Sequence, residues 1–413
     1  MRYLVQVEPD KLSAVTQSLS VIGIKSIVMF DYLAIDIPLE LVPKIRAIPG
    51  VIDVVPDKKY GIAYIPTAID KKLAEFQRLF WSNPITGPPS ALAYAVRVDT
   101  GKKRVPTSES RKMIGADIAE AEGITGKNIR VAVLDTGTSY DFLFQGPYHE
   151  GSKSSIEGQP VPLDEVGHGV HVQTTISGRP FQSIHGLLKG IAPDAQVAAF
   201  KCLGGGVGVG MTSWILRAIA DAVEWNCNII NMSLGGDDED YTTSPYHKII
   251  SGLTNQGIIF CIAAGNSGPE SNTIGSPGSM PDALTVGAVS YPDGEIAKFS
   301  SRGPTLNNLI KPDVCAPGVD ILSTAAGYIA AMQFLDGPPS LAAISGTSMA
   351  TPAVSGWAAL VKELYRKHGV ELTTPMIKDM MERYGRPKDN TYGWGVPTWD
   401  IAKRYLAEVL GYG

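Results

Sequence analysis

"IRVAVLDTG", residues 129–137, decides the fold. A nearly unbroken apolar run ends on Asp135 and is turned at once by Thr136 and Gly137. A half-solvated strand would alternate apolar and polar residues; this one is apolar without a break from Val131 to Leu134, so both of its faces must be covered. Four later segments share the texture: "AQVAAFKC" (195–202), "CNIINMSL" (227–234), "GIIFCIAAG" (257–265) and "ALTVGAVS" (283–290). Amphipathic stretches such as "SWILRAIADAVEW" (213–225) lie between them. Buried strands separated by helices predict an α/β fold, a mostly parallel central sheet in three layers. In such sheets the chemistry gathers beyond the carboxyl ends of the strands, which is where Asp135 stands.

Three more polar motifs fall at such ends. "VGHGVHVQTTISG" (166–178) predicts a helix opening near His168, with His168 and His171 three positions apart on roughly one face. A zinc helix would space its histidines four apart around a glutamate, and that glutamate is missing. "AISGTSMATPAVSGWAALVKEL" (343–364) predicts a helix after a glycine turn. Pro352 is tolerated in its first turns, and Trp357, Leu360, Val361 and Leu364 form its core stripe. Ser348 there is either a helix cap or a nucleophile, set where free N–H groups and the helix's positive end can hold an oxyanion. "CIAAGNSG" (261–268) leaves Asn266 beside Gly265 at a strand end, an ordinary turn residue when taken alone.

Composition bounds the rest. The chain has 413 residues, 44 % apolar and 19 % charged, which suits a globular protein too long for a single core. A net charge of −5 argues against a nucleic-acid partner. No apolar run approaches the roughly 18 residues of a membrane span. "MRYLVQVEPDKL" lacks the basic-then-apolar pattern of a signal peptide. A secreted protein whose export leader lies outside this chain is expected, with the cytoplasm as the alternative. The four cysteines, Cys202, Cys227, Cys261 and Cys315, sit in or beside apolar stretches without CxxC spacing and read as buried free thiols.

Residues 1–57 read as a unit of their own. Strand "RYLVQV", helix "PDKLSAVTQSLSVIG", strands "KSIVMF" and "YLAIDI", helix "LELVPKIRAIPG" and strand "VIDVVPD" give a β-α-β-β-α-β order, that of a small ferredoxin-like module. A polar stretch rich in proline and glycine follows, interrupted by one helical piece, "AIDKKLAEFQRLFW" (68–81); "NPITGPPS" and "TGKKRVPTSES" (100–110) look like linkers. The expected division is 1–64, 65–110 and 111–413.

Asp135, His168 and Ser348 follow one another in the order Asp…His…Ser, that of the subtilisin triad. Together with "VAVLDTG", "GHGVHV", "NMSLGG", "AAGNSG", "TIGSPGSMPDALTVGAV", "FSSRGP", "KPDVCAPG" and "SGTSMATP", the chain resembles the subtilisin-like serine proteases from about Ile114 to Gly395. The resemblance implies a serine endopeptidase with Ser348 as nucleophile, His168 as general base and then acid, and Asp135 orienting the imidazole. Asn266 would complete an oxyanion hole, and His171 would be a structural histidine. Gly208, Val209 and Gly210 on one side and Ser233, Leu234 and Gly235 on the other would flank an extended polypeptide substrate, with Ala264, Gly265 and Gly275 around a pocket for a large apolar P1 residue. The N-terminal module resembles the family's propeptide, an intramolecular inhibitor removed by autoprocessing near Tyr64 or near Lys103. The chemistry needs no cofactor and assigns no metal. Structural calcium is expected only as in many relatives, at the acidic run Asp237–Asp240, and a solvated loop is the simpler reading there. A monomer is expected. The rival is a catalytically silent homologue that binds peptides or regulates, and the intact triad with Asn266 counts against it. A second rival, a metalloenzyme using His168 and His171, would lose activity to chelators and survive loss of Ser348.

Overall fold

A computed structural model describes residues 1–62, 104–139, 150–183, 185–205, 208–327 and 341–412. The helix expected at 68–81 and the "NPITGPPS" stretch lie outside the described residues. The N-terminal module has the expected order: β1 (Arg2–Val7), α1 (Leu12–Val21), β2 (Ser26–Met29), β3 (Tyr32–Asp36), α2 (Val42–Arg46) and β4 (Val51–Pro56). Its antiparallel sheet runs β2-β3-β1-β4. Strand alternation divides β1 between two cores. Tyr3, Val5 and Val7 pack with Val15, Leu19 and Ile45 in the module's own core. Leu4 points the other way and joins Met29, Tyr32 and Ala34 in a core shared with the main body.

β5 (Lys59–Ile62) leaves the module. β6 (Val105–Pro106) pairs in parallel with Ile321–Leu322, and α3 (Thr107–Ile114) follows directly. Residues 105–110 are therefore not the linker that "TGKKRVPTSES" suggested. Thr107, Ser110 and Arg111 are buried. Arg111 makes the segment fold: its guanidinium donates to the carbonyls of Ile191 (2.9 Å) and Ala116 (3.1 Å) and pairs with Glu120 (2.6 Å).

The main body is built on β7 (Arg130–Asp135), β8 (Lys153–Ser154), α4 (His168–Ser177), the hairpin β9 (Phe181–Ser183) and β10 (Gly186–Leu188), and β11 (Gln196–Lys201). Next come β12 (Val209–Met211), α5 (Thr212–Glu224), β13 (Ile229–Met232), β14 (Leu234–Gly235) and α6 (Pro245–Asn255). β15 (Ile259–Ala263), β16 (Leu284–Val289), β17 (Val314–Pro317), β18 (Ile321–Thr324), β19 (Leu341–Ile344) and α7 (Thr347–Lys367) complete the frame, with α8 (Thr374–Tyr384) and α9 (Trp399–Glu408) behind it. Seven strands form one parallel sheet in the order β17-β16-β15-β13-β7-β11-β8, the five sequence-identified segments among them. One hydrophobic core lies on each side of this sheet, giving the three-layer α/β fold. Among the described residues no helix is long and apolar enough to cross a membrane.

α7 departs from the one-stripe reading. Trp357, Leu360 and Val361 are buried as expected, but so are 18 of the helix's 21 residues. Small residues allow this: Ala350, Ala353, Gly356, Ala358 and Ala359 let neighbours approach closely. A Cβ on Gly356 would lie 2.5 Å from Cβ of Ile191. The helix runs through the core, and its N-terminus is fixed from all sides.

Candidate active site

Three elements carry the three predicted residues to the carboxyl end of the sheet. β7 ends on Asp135, α4 begins on His168, and Ser348 is the second residue of α7. His168 Nδ1 lies 2.7 Å from Asp135 Oδ1, and both side chains are essentially inaccessible. A carboxylate on Nδ1 fixes the tautomer with the proton there, so that Nε2 is the acceptor nitrogen of the ring. Asp135 Oδ1 also accepts the Thr136 N–H at 2.7 Å, which locks its rotamer.

The start of α4 is held by groups the sequence did not single out. Buried Asp164 accepts from the N–H groups of Val166 (3.0 Å), Gly167 (2.7 Å) and Val170 (2.9 Å), satisfying donors that a helix N-terminus leaves free. Gly167 has φ +96, and a Cβ there would lie 2.0 Å from the Ala326 carbonyl oxygen, so no other residue fits. Thr136 Oγ1 accepts from Gly169 N–H at 2.8 Å. Gln173 donates to the carbonyls of Gly137 (2.8 Å) and Gly169 (2.9 Å). It thereby ties the turn after Asp135 to the helix bearing His168.

Ser348 Oγ donates to the Ser233 carbonyl at 2.8 Å, and Ser233 Oγ donates back to the Ser348 carbonyl at 2.9 Å. Asn231 Nδ2 supports Ser233 Oγ at 3.0 Å, and its Oδ1 accepts from Ser355 at 2.8 Å. This reciprocal clamp sets the height of the serine against β13. To act as a nucleophile, the Ser348 hydroxyl must redirect its proton from Ser233 to the imidazole.

Asn266 Oδ1 accepts from Thr347 N–H at 2.9 Å and from Thr347 Oγ1 at 3.1 Å. Those two donors fix the amide's orientation. The opposite atom, Nδ2, is buried without a hydrogen-bond partner among the described residues. Such an orphaned donor is costly unless something is meant to occupy its place. The N–H of Ser348, at the second helical position, has no intrahelical acceptor either. Asn266 Nδ2 and the Ser348 N–H, the latter at the helix's positive end, are thus two donors able to stabilise a negative oxygen. Thr347, which sets this up, was within the quoted motif but was not singled out.

The predicted substrate-flanking segments hold a strand of this same chain. β12, β5 and β14 form a three-stranded antiparallel sheet with Lys59–Ile62 in the middle. Val209, Gly210 and Met211 face Gly61, Tyr60 and Lys59, while Leu234 and Gly235 face Ile62 and Gly61. Gly208 O lies 3.8 Å from where a Cβ on Gly61 would sit. Asp57, just upstream, accepts from Ser213 N–H at 3.0 Å and from its hydroxyl at 2.5 Å, capping α5 from outside the main body.

Beside Asn266 opens a cavity of about 480 Å³. Gly235, Gly236, Gly265 and Gly275 contribute to its lining, and the exposed Asp237 and half-buried Asp238 add acidic groups. A Cβ on Gly275 would lie 2.6 Å from the Gly236 carbonyl oxygen, so the two backbones meet there. Ala264 is fully buried and is not part of this lining; it holds Gly275 instead, its carbonyl accepting Gly275 N–H at 2.9 Å.

Among the described residues no group of three or more His, Cys, Asp or Glu is arranged to hold a metal ion. Carboxylates of the acidic run serve as local acceptors: Asp238 takes N–H groups from Glu239 and Leu306, and Asp240 takes Thr242 and Asn307. The four cysteines are free and buried, and burial pushes the thiols of Cys227, Cys261 and Cys315 up to about 12. They remain protonated and inert.

His171 has partners unlike those of His168: its Nε2 donates to the carbonyls of Ile321 (3.0 Å) and Ala342 (3.2 Å). Desolvation lowers its pKa from 6.5 to about 3, against the raising effect of those carbonyls. The folded chain therefore keeps it neutral where the unfolded chain would protonate it. The stability this contributes is complete above pH 6.5 and declines as pH falls from 6.5 toward 3. Between pH 6.5 and 4.5 the loss is about 2 kcal/mol. His171→Gln, whose amide can still donate, is expected to lose about that much less than its parent over this interval. Urea unfolding of the pair, both carrying Ser348→Ala to prevent self-digestion, measures the difference.

The profile of the subtilase family matches residues 126–395, more than half of the chain. Serine protease AprX of Bacillus subtilis (strain 168) is 33 % identical over 305 residues, covering 67 % of this chain and 66 % of its own. Subtilisin E of the same organism is 34 % identical over 285 residues, covering 68 % and 67 % respectively. The chain spans about two thirds of the length of these two relatives. Subtilisin of Bacillus pumilus is 35 % identical over 272 residues, covering 65 % of this chain and 88 % of its own. The matched region contains every element that carries Asp135, His168, Asn266 and Ser348. The chain belongs to the subtilase family of serine endopeptidases.

Proposed function

We propose that the chain hydrolyses polypeptides through Asp135, His168 and Ser348 and is made as a self-inhibited zymogen whose N-terminal module is its own inhibitor. The observation that carries the catalytic part is the 2.7 Å Asp135–His168 contact, set beside a helix-terminal serine and the orphaned Asn266 Nδ2. Ser348 Oγ attacks the scissile carbonyl while His168 Nε2 takes its proton, and Asp135 stabilises the imidazolium through Nδ1. The oxyanion of the tetrahedral intermediate accepts from Asn266 Nδ2 and Ser348 N–H. His168 then protonates the leaving amine, and water repeats the sequence on the acyl-enzyme. The cavity next to Asn266 takes the P1 side chain and has room for a large apolar or aromatic one, a size that a self-cut with Ala63 at P1 leaves unused.

The zymogen part rests on β5. A segment paired on both sides in the cleft excludes other peptides from it, by the same backbone bonds that would bind them. Its register also supports a place for the cut. Leu234 faces Ile62, and Ser233 is the next residue of that edge. Ser233 is the residue whose carbonyl meets Ser348 Oγ. Self-cleavage is therefore expected between Ala63 and Tyr64, one bond earlier than the sequence suggested, at residues outside those described. Later trimming must stop before Val105, since β6 and α3 are built into the peptidase body. Mass spectrometry of the maturing chain should find a fragment ending at Ala63 and a first new N-terminus at Tyr64. A first cut near Lys103 with 63–64 intact would refute the register.

A further inference from the structure

The side chains of the cleft-bound tail, as opposed to its backbone, meet one buried acid. Glu239 is 8 % exposed, and its Oε1 accepts from Tyr60 Oη at 3.2 Å, from Ser244 Oγ at 2.9 Å and from Ser276 Oγ at 2.6 Å. Its Oε2 pairs with Lys58 Nζ. The Tyr60 ring, 4 % exposed, packs edge-to-face on Tyr246 with centroids 5.5 Å apart. It also covers Gly236 so closely that a Cβ there would lie 2.9 Å from two ring carbons. Desolvation, reinforced by the Glu239 charge, pushes the Tyr60 phenol well above its usual range, so it stays a neutral donor.

When the tail departs, Ser244 and Ser276 still satisfy part of Glu239, while the positions filled by Lys58 and Tyr60 are vacated. Those positions are fixed by the pairing: with cleavage after residue 63, Tyr60 is the fourth residue before the cut (P4) and Lys58 the sixth (P6). We propose that Glu239 is a specificity-determining residue, which selects substrates bearing tyrosine at P4 and a basic side chain at P6. The inference rests on the protease reading and on the tail lying in the cleft as a substrate would.

The two contacts differ in strength. A phenylalanine at P4 would fill the same space but leave a largely buried carboxylate one donor short, an omission that protein sites reject strongly. Tyrosine is therefore expected to exceed phenylalanine in kcat/KM by about tenfold. The Lys58 side chain is 55 % exposed, so its ion pair is screened by solvent. Lysine should exceed alanine at P6 by about threefold, and the advantage should fade in high salt.

The test uses the full chain allowed to mature, with four quenched peptides that share one sequence except for Tyr or Phe at P4 and Lys or Ala at P6. The expected result is both preferences in the wild type. In Glu239→Gln the lysine preference should be lost and the tyrosine preference weakened, because an amide oxygen still accepts. The wild-type ratios alone decide the matter if that variant fails to fold. Equal rates on all four peptides overturn the assignment while leaving the protease reading intact. Hydrolysis of none overturns both.

Discussion

Replacing Ser348 with alanine is expected to lower kcat by about 10⁶, the size established for loss of the nucleophile in subtilisin itself, a relative, and not a figure that this geometry yields. The physical reason is that in this mechanism Oγ forms the acyl-enzyme and gives its proton to His168, a step that alanine cannot supply. KM should change little, because the backbone contacts of β12 and β14 bind ground state and transition state alike. The same substitution should leave the chain uncut, with Lys59–Ile62 retained between those strands. A purified variant that matures and hydrolyses protein at anything near the wild-type rate would remove Ser348 from the mechanism. Survival of such activity together with loss to a chelator would favour the metalloenzyme rival.

Asn266→Ala is expected to reduce kcat by about 10²–10³ with KM nearly unchanged, again a range established on subtilisin. Here the geometry supplies the reason for the split. Thr347 already occupies Oδ1 through two hydrogen bonds, so Nδ2 is aimed before substrate arrives and gains its partner only as negative charge develops. A donor placed this way stabilises the transition state more than the bound substrate. The substitution also removes the acceptor from Thr347 N–H at the start of α7, so some loss of stability is expected. That loss alone would lower the amount of active enzyme, which titration of the active serine separates from a change in kcat. A rise in KM at constant kcat would mean that Asn266 binds substrate and does not hold the oxyanion.

The parts legible in the sequence were those with local signatures. Apolar runs such as "IRVAVLD" and "GIIFCIAAG" can only be strands buried on both faces, and five of them led to the parallel sheet. The β-α-β-β-α-β order of the first 57 residues was readable from period alone. "VPTSES" was misleading for the opposite reason. Thr107 and Ser110 are polar, so the stretch reads as a loop, yet Arg111 just after it satisfies carbonyls of Gly190, Ile191 and Ala116 that come together only in the fold. α7 was half-legible. Its large residues marked one stripe, while its alanines and Gly356 gave no sign that the other faces are buried too. The supporting shell was hidden for the same reason. Ser233 clamps Ser348 across 115 positions, and Thr347 orients Asn266 across 81. Glu239 sat in the acidic run Asp237–Asp240, where composition suggested solvent or calcium; the fold turns it inward beneath Tyr60 instead.

The central claim is that Ser348 is activated by His168 and Asp135. Labelling with a serine-directed fluorophosphonate tests it most directly, followed by peptide mapping of the matured full chain, its Ser348→Ala variant and its His168→Ala variant. The account predicts one adduct, on Ser348, in the wild type, none in Ser348→Ala and a labelling rate reduced by orders of magnitude in His168→Ala. A wild-type chain, freed of its N-terminal module, that neither takes the label nor cleaves an unfolded protein would contradict it, as would labelling of Ser348 at an unchanged rate without His168.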